Sequence, residues 1–186
     1  MKENIFKKPQ VYIILFTVLN LFKIILNTDI GSLTLIGALS KLLTLAAPLS
    51  ILIYFIAEKK ELPFKKYVLP IGFGLTSITV FIAGWQAAAL SVYDEVFGAV
   101  SIIMIAIQAL AMILMFVGTL FDFESVGCLK FGSLLFIAAS VISFVTGAVF
   151  DKLNGGYGFN PIPLINFFIT CLFYFGIYLL AKEKSK

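Results

Sequence analysis

Two lysines interrupt otherwise apolar runs: Lys23 in LNLFKIILN and Lys41 in ALSKLLTLA. An ammonium held among apolar side chains needs an anion or several acceptors, so such a residue marks a binding site for negative charge unless its stem carries it out to water. Asp29 lies between the two and can serve as part counter-ion. Together they describe a cationic site that would take an anionic substrate or a lipid head group. Snorkelling to the membrane interface is the competing reading for both.

A second set of residues suits neutral polar recognition. Asn166, Thr170, Tyr174 and Tyr178 recur at i, i+4 spacing, which puts them on one face of a helix. Thr76 and Thr79 lie on neighbouring turns of another apolar run, and Gln108 sits in the middle of a third. An amide at that depth is costly against lipid, so Gln108 is expected to face other helices. These groups either line a polar cavity or join helices by hydrogen bonds worth about 0.6 kcal/mol each. The candidate ligand-binding set is Lys41, Lys23, Asn166, Gln108 and Thr170.

Other chemistry lacks its residues. All fourteen basic residues are lysine and histidine is absent. That removes imidazole metal ligands, a Ser–His pair and a guanidinium clamp on phosphate. Asp94 and Glu95 are adjacent in a short turn and point to water, and no carboxylate falls inside an apolar run. The glycine-rich GGYG at 155–158 lacks the Lys-Ser/Thr of a phosphate loop. Cys128, expected in a loop, and Cys171, expected in a helix, have no metal spacing and are too far apart in depth to pair. Met104, Met112 and Met115 are expected to fill space. The expectation is a non-enzymatic chain with no cofactor, no metal and no nucleic-acid partner.

The elements that position these groups are membrane spans. The chain has 186 residues, is 61% hydrophobic and only 13% charged, and has a mean hydropathy of +1.06. A soluble domain is about 45–50% apolar and about 25% charged. The run 96–121, VFGAVSIIMIAIQALAMILMFVGTLF, has no charge at all. As a helix it would extend roughly 39 Å, enough to cross a hydrocarbon core of about 30 Å with some tilt. The same reasoning gives six spans, at about 9–27, 33–57, 67–90, 96–121, 131–150 and 162–181. Pro48 falls inside the second, which is read either as one helix through the proline or as an interfacial piece at 32–41 followed by a span from about 42.

The predicted fold is therefore an all-α, six-helix polytopic membrane bundle forming a single domain. With both termini cytoplasmic, Lys2, Lys7, Lys8, Lys59, Lys60, Lys65, Lys66, Lys130, Lys182, Lys184 and Lys186 lie inside, and Lys152 alone lies in an outside loop. The positive-inside rule then fixes N-in, C-in. Trp85, Tyr93 and Tyr157 suit an outer aromatic belt, and Tyr67 and Tyr178 an inner one.

Besides the bilayer, two surfaces offer themselves to a protein partner. One is the small-residue ladder Ala139, Ser143 and Gly147, with Gly84 and Ala88 as its counterpart in the third span. The other is the basic loop EKKELPFKK, from Glu58 to Lys66. The functional expectation is a membrane transport component, a substrate-binding or permease-type subunit with an outward cavity lined by helices 1, 2, 3 and 6 and no ATP site of its own. The alternative is an accessory, immunity or assembly subunit of a larger membrane complex. A cell membrane of the bacterial plasma-membrane kind is the expected location.

Overall fold

The computed structural model describes residues 9–27, 35–90, 95–120, 123–153 and 161–185. Asp29, Tyr93, Asp94, Tyr157, the terminal lysines 2, 7, 8 and 186, the GGYG turn and the side chains of Trp85, Ala88 and Glu95 lie outside the described residues.

Six helices follow one another: α1 Pro9–Leu26, α2 Leu35–Lys59, α3 Lys65–Leu90, α4 Glu95–Thr119, α5 Val126–Leu153 and α6 Pro161–Lys184. α1 and α6 each start on proline, whose fixed φ and missing N–H suit a first helical position. α2 runs unbroken through Pro48, so the reading with a separate interfacial piece is not observed. α5 begins five residues before its expected start at 131, so Cys128 lies in a helix and not in a loop. The sequence VGCLKFG holds no proline, and Gly132 packs closely on α4.

The helices form a closed ring. Each packs against its neighbours in chain order, and α1 packs against α6 to complete the circuit. Five helices, all but α3, are long and apolar enough to cross a membrane among the described residues. α3 has 26 residues and touches α2 at Gly72 and α4 at Gly74 and Gly84, so it runs alongside both. The outer surface of the ring is apolar: Phe22, Leu42, Ile71, Phe131 and Ile162 are all exposed. A surface of that kind suits lipid, and the fold is a helical membrane bundle.

The two ends of the ring differ. One end gathers the start of α1, the α2–α3 turn, the α4–α5 link and the end of α6. There Gln10 Nε2 donates to Glu183 Oε1 at 2.5 Å, Lys130 Nζ donates to Ser185 Oγ at 2.7 Å, and Lys184 pairs with Glu58. This lysine-rich half is tightly packed. A Cβ on Gly132 would lie 2.7 Å from the Ala111 carbonyl oxygen, one on Gly118 2.4 Å from the Leu129 nitrogen, and one on Gly72 2.0 Å from Ser50 Oγ. Glycine is what lets α4 approach α5, and α2 approach α3, so closely. Met112, Met115, Ile51, Leu129 and Leu180 fill the interior of this half.

In the other half α4 and α5 part. Gly147 has nothing within 4 Å of where its Cβ would be. The ladder Ala139, Ser143, Gly147 is therefore in close contact only at its buried Ala139. Ser143 and Gly147 border an open crevice between α4 and α5.

Candidate functional site

At mid-depth the ring holds a half-open cavity of about 200 Å³, and all six helices contribute to its wall. α1 supplies Asn20 and Lys23, α2 Thr44, α3 Thr76 and Thr79, α4 Gln108, and α6 Thr170 and Tyr174, while α5 adds Phe136. Helices 1, 2, 3 and 6 were expected to line it; α4 and α5 join them because the ring closes on itself.

Helix register sorts the polar groups into two tiers. Counted from the lysine-rich ends at about 1.5 Å per residue, Asn20, Thr76, Gln108 and Tyr174 lie roughly 15–17 Å in. Lys23, Thr44, Thr79 and Thr170 lie about one turn farther, at roughly 21–23 Å. The floor below them is aromatic. Phe136 stacks on Tyr174 with centroids 3.9 Å apart, and Phe173 meets Tyr174 edge-on at 5.0 Å.

Local sequence explains why these side chains point inward. On α1, Ile13, Thr17, Asn20 and Ile24 follow 3.6-residue periodicity and are the buried residues of that helix. Lys23, one turn after Asn20, shares this face. Its Nζ donates to Thr170 Oγ1 at 2.5 Å, and Thr170 Oγ1 donates to the Asn166 carbonyl oxygen at 2.8 Å. Lys23 therefore turns into the bundle and does not snorkel outward. It is the one charged side chain among the described lining residues. No described carboxylate forms an ion pair with it.

α2 and α3 are joined across the cavity wall. Pro48 has no N–H to give, and one residue earlier the Ala47 N–H donates to Thr76 Oγ1 at 3.0 Å. The same hydroxyl lies 2.9 Å from the Gly72 carbonyl oxygen and 3.3 Å from that of Leu43, and it donates to one of them. A hydroxyl from a neighbouring helix thus satisfies the backbone around a proline, as membrane helices require.

Two polar atoms in this wall have no partner. Asn20 Oδ1 and Thr79 Oγ1 are buried without a hydrogen bond, although Asn20 is only 6% exposed. Buried polar groups are paired in the great majority of cases, so these two atoms are exceptions in this wall.

Of the sequence candidates, Lys23, Gln108 and Thr170 come together here, with Thr76, Thr79 and Tyr174. Lys41 is exposed, with its Nζ 3.5 Å from the Asn27 carbonyl oxygen, and Asn166 is half-buried one turn beyond Thr170; neither lines the cavity. Tyr178 lies outside it and stacks on Phe175. Sequence reasoning missed Asn20 and Thr44. The signal for Asn20 was its i, i+3 spacing to Lys23 on the Thr17 face. Gln108 and Ile105 also border the α4–α5 crevice, with Ser101, Ser143 and Thr146.

At the lysine-rich end the ring is latched from one side to the other. Glu58 Oε1 pairs with Lys184 and accepts from Tyr54 Oη at 3.0 Å, while Lys184 Nζ lies 5.5 Å from the Tyr54 ring centre and 5.6 Å from that of Phe123. Glu58 thus turns toward the bundle and is half-buried, whereas Lys59, Lys60 and Lys66 of the basic loop are exposed.

No family model, curated protein or solved structure matches the chain.

Proposed function

We propose that the protein is a non-enzymatic membrane transport component, a substrate-binding or permease-type subunit whose central cavity takes a small molecule from the end away from the lysine-rich latch. One observation carries this reading: a cavity at mid-depth, walled by all six helices, presents two tiers of polar groups around Lys23 in an otherwise apolar bundle. An accessory subunit needs no such space, and a packed interior would serve it better. Lys23, Gln108 and Thr170 are the contact residues in this proposal. Lys41 and Asn166 stand about one turn farther out, on the approach.

The asymmetry of the ring supports the direction of access. Glycine contacts and the Lys184–Glu58 latch close one half, and α4 and α5 part in the other. The chain carries no nucleotide-binding motif, so a partner subunit or an ion gradient would supply the energy. The lysine distribution supports a cytoplasmic latched end, and a plasma membrane of the bacterial kind is the proposed location.

The test is purification in native-lipid discs, mass spectrometry of the small molecules released on unfolding, and flux of those molecules into liposomes. A stoichiometric small molecule that crosses only protein-bearing liposomes, or that needs a co-purified energising subunit to cross, is the expected result. A bundle that releases nothing and carries nothing overturns the transport reading in favour of the accessory one.

A further inference from the structure

Resting on the transport reading, we propose that the cavity's occupant is a small organic monoanion without a cationic group, bound with its acid group on Lys23.

Charge fixes the first half. Lys23 is the single charge among the described lining residues, and its described partner is a neutral hydroxyl. A cation kept inside a helical bundle is stabilised by an anion. One ammonium matches one negative charge. A dianionic phosphate would leave a second charge unmatched, and there is no guanidinium for a bidentate grip.

The lack of a described carboxylate fixes the second half. No described carboxylate lines the cavity, so an ammonium on the ligand would be buried without its counter-charge. Any second polar group on the ligand is therefore neutral. Phe136, Phe173 and Tyr174 form an apolar floor under the body of the ligand. The volume of about 200 Å³ corresponds to about seven water volumes and falls below the range of about 300–1,000 Å³ for drug-sized ligands, so the molecule is small. A phospholipid head group has the charge, but it would have to bring its acyl chains with it.

The test uses three isosteric probes on the purified chain in detergent: 4-hydroxyphenylacetate, its neutral amide and tyramine, with short-chain phosphatidylglycerol as the lipid arm. Binding is read by calorimetry and by the shift in melting temperature. The expected result is stabilisation by the acid, with at least tenfold weaker binding of the amide and none of the amine. Lys23→Met should remove the preference for the acid over the amide. Because a lysine variant can change folding, Asn20→Asp provides an independent check. It keeps Lys23 but places a carboxylate one turn away on the same face, an internal counter-ion that should displace the acid while the melting temperature of the empty protein holds or rises.

Tighter binding of the amide or the amine, or acid binding unchanged in both variants, overturns the ligand class and leaves the transport reading standing. Binding of the lipid in place of the acid also overturns it. If no probe binds and native-lipid preparations release no small molecule, the transport reading falls and takes this inference with it.

Discussion

Thr76→Val and Thr79→Val should have opposite effects on stability, although both replace a threonine in the cavity wall of α3. Thr76 Oγ1 takes the Ala47 N–H at 3.0 Å and returns its hydrogen to a carbonyl at 2.9 or 3.3 Å. Valine at 76 leaves that donor and that carbonyl with one partner fewer, and Ala47 is 1% exposed, so water cannot replace it. Orphaning a buried group costs about 1–3 kcal/mol, whereas hydrogen bonds between membrane helices average about 0.6 and reach about 1.7 kcal/mol. The Ala47 N–H can fall back on the Leu43 carbonyl of its own helix, so we expect a loss of about 1–2 kcal/mol. Thr79 Oγ1 has no partner to lose. Valine there removes a buried unsatisfied hydroxyl and should change the stability of the empty protein by between 0 and about +1 kcal/mol. Equilibrium unfolding in mixed micelles, or steric trapping in bicelles, resolves a gap of this size. Equal destabilisation by both variants, or a larger loss at Thr79, would refute the hydrogen-bond assignment around Pro48.

Further outcomes follow from other contacts. Gly132→Ala puts a Cβ 2.7 Å from a backbone oxygen of α4 and should cost about 1–3 kcal/mol, whereas Gly147→Ala, facing open space, should be neutral or stabilising by up to about 1 kcal/mol in the same unfolding assay. Glu61 ends α2 at φ 52°, with the Leu62 N–H on the Ala57 carbonyl at 2.9 Å, a C-terminal cap that favours glycine. Glu61→Gly should therefore raise stability by up to about 1 kcal/mol, read by the same method. Glu58→Gln should weaken the latch by about 1 kcal/mol, a modest figure because both partners are about one-third exposed (29% and 32%), and should speed hydrogen exchange at the end of α6. Lys41→Ala, one turn outside the cavity, should leave equilibrium binding of the anionic probe within about twofold while Lys23→Met weakens it about tenfold, to the level of the amide, as calorimetry would show.

Composition and hydropathy settled the class of this protein and the number of its helices. Runs such as 96–121 are too long and too apolar to be anything but membrane helices, because in lipid the backbone must satisfy its own hydrogen bonds. Element ends were less legible. The start of α5 was placed five residues late because the polar stretch DFESVGCLK reads as a loop, while the helix runs through Cys128 and Lys130 and packs closely on α4 at Gly132. Inward-facing polar residues were partly legible: Gln108 and Thr170 stand out for their cost in lipid. Asn20 did not, because it lies beside a lysine that drew the attention.

What only the tertiary structure decided is which polar residues meet. Lys23 and Lys41 look alike in sequence, each an ammonium in an apolar run. The closing of α6 on α1 brings Thr170 to Lys23 and turns that lysine inward, while Lys41 stays at the surface. Hydropathy depends on each residue's own transfer free energy and so can be read along the chain. A cavity depends on the register of six helices against one another, and that register is set by notches and contacts, such as Gly132 against Ala111 and Thr76 against Ala47, between residues distant in sequence.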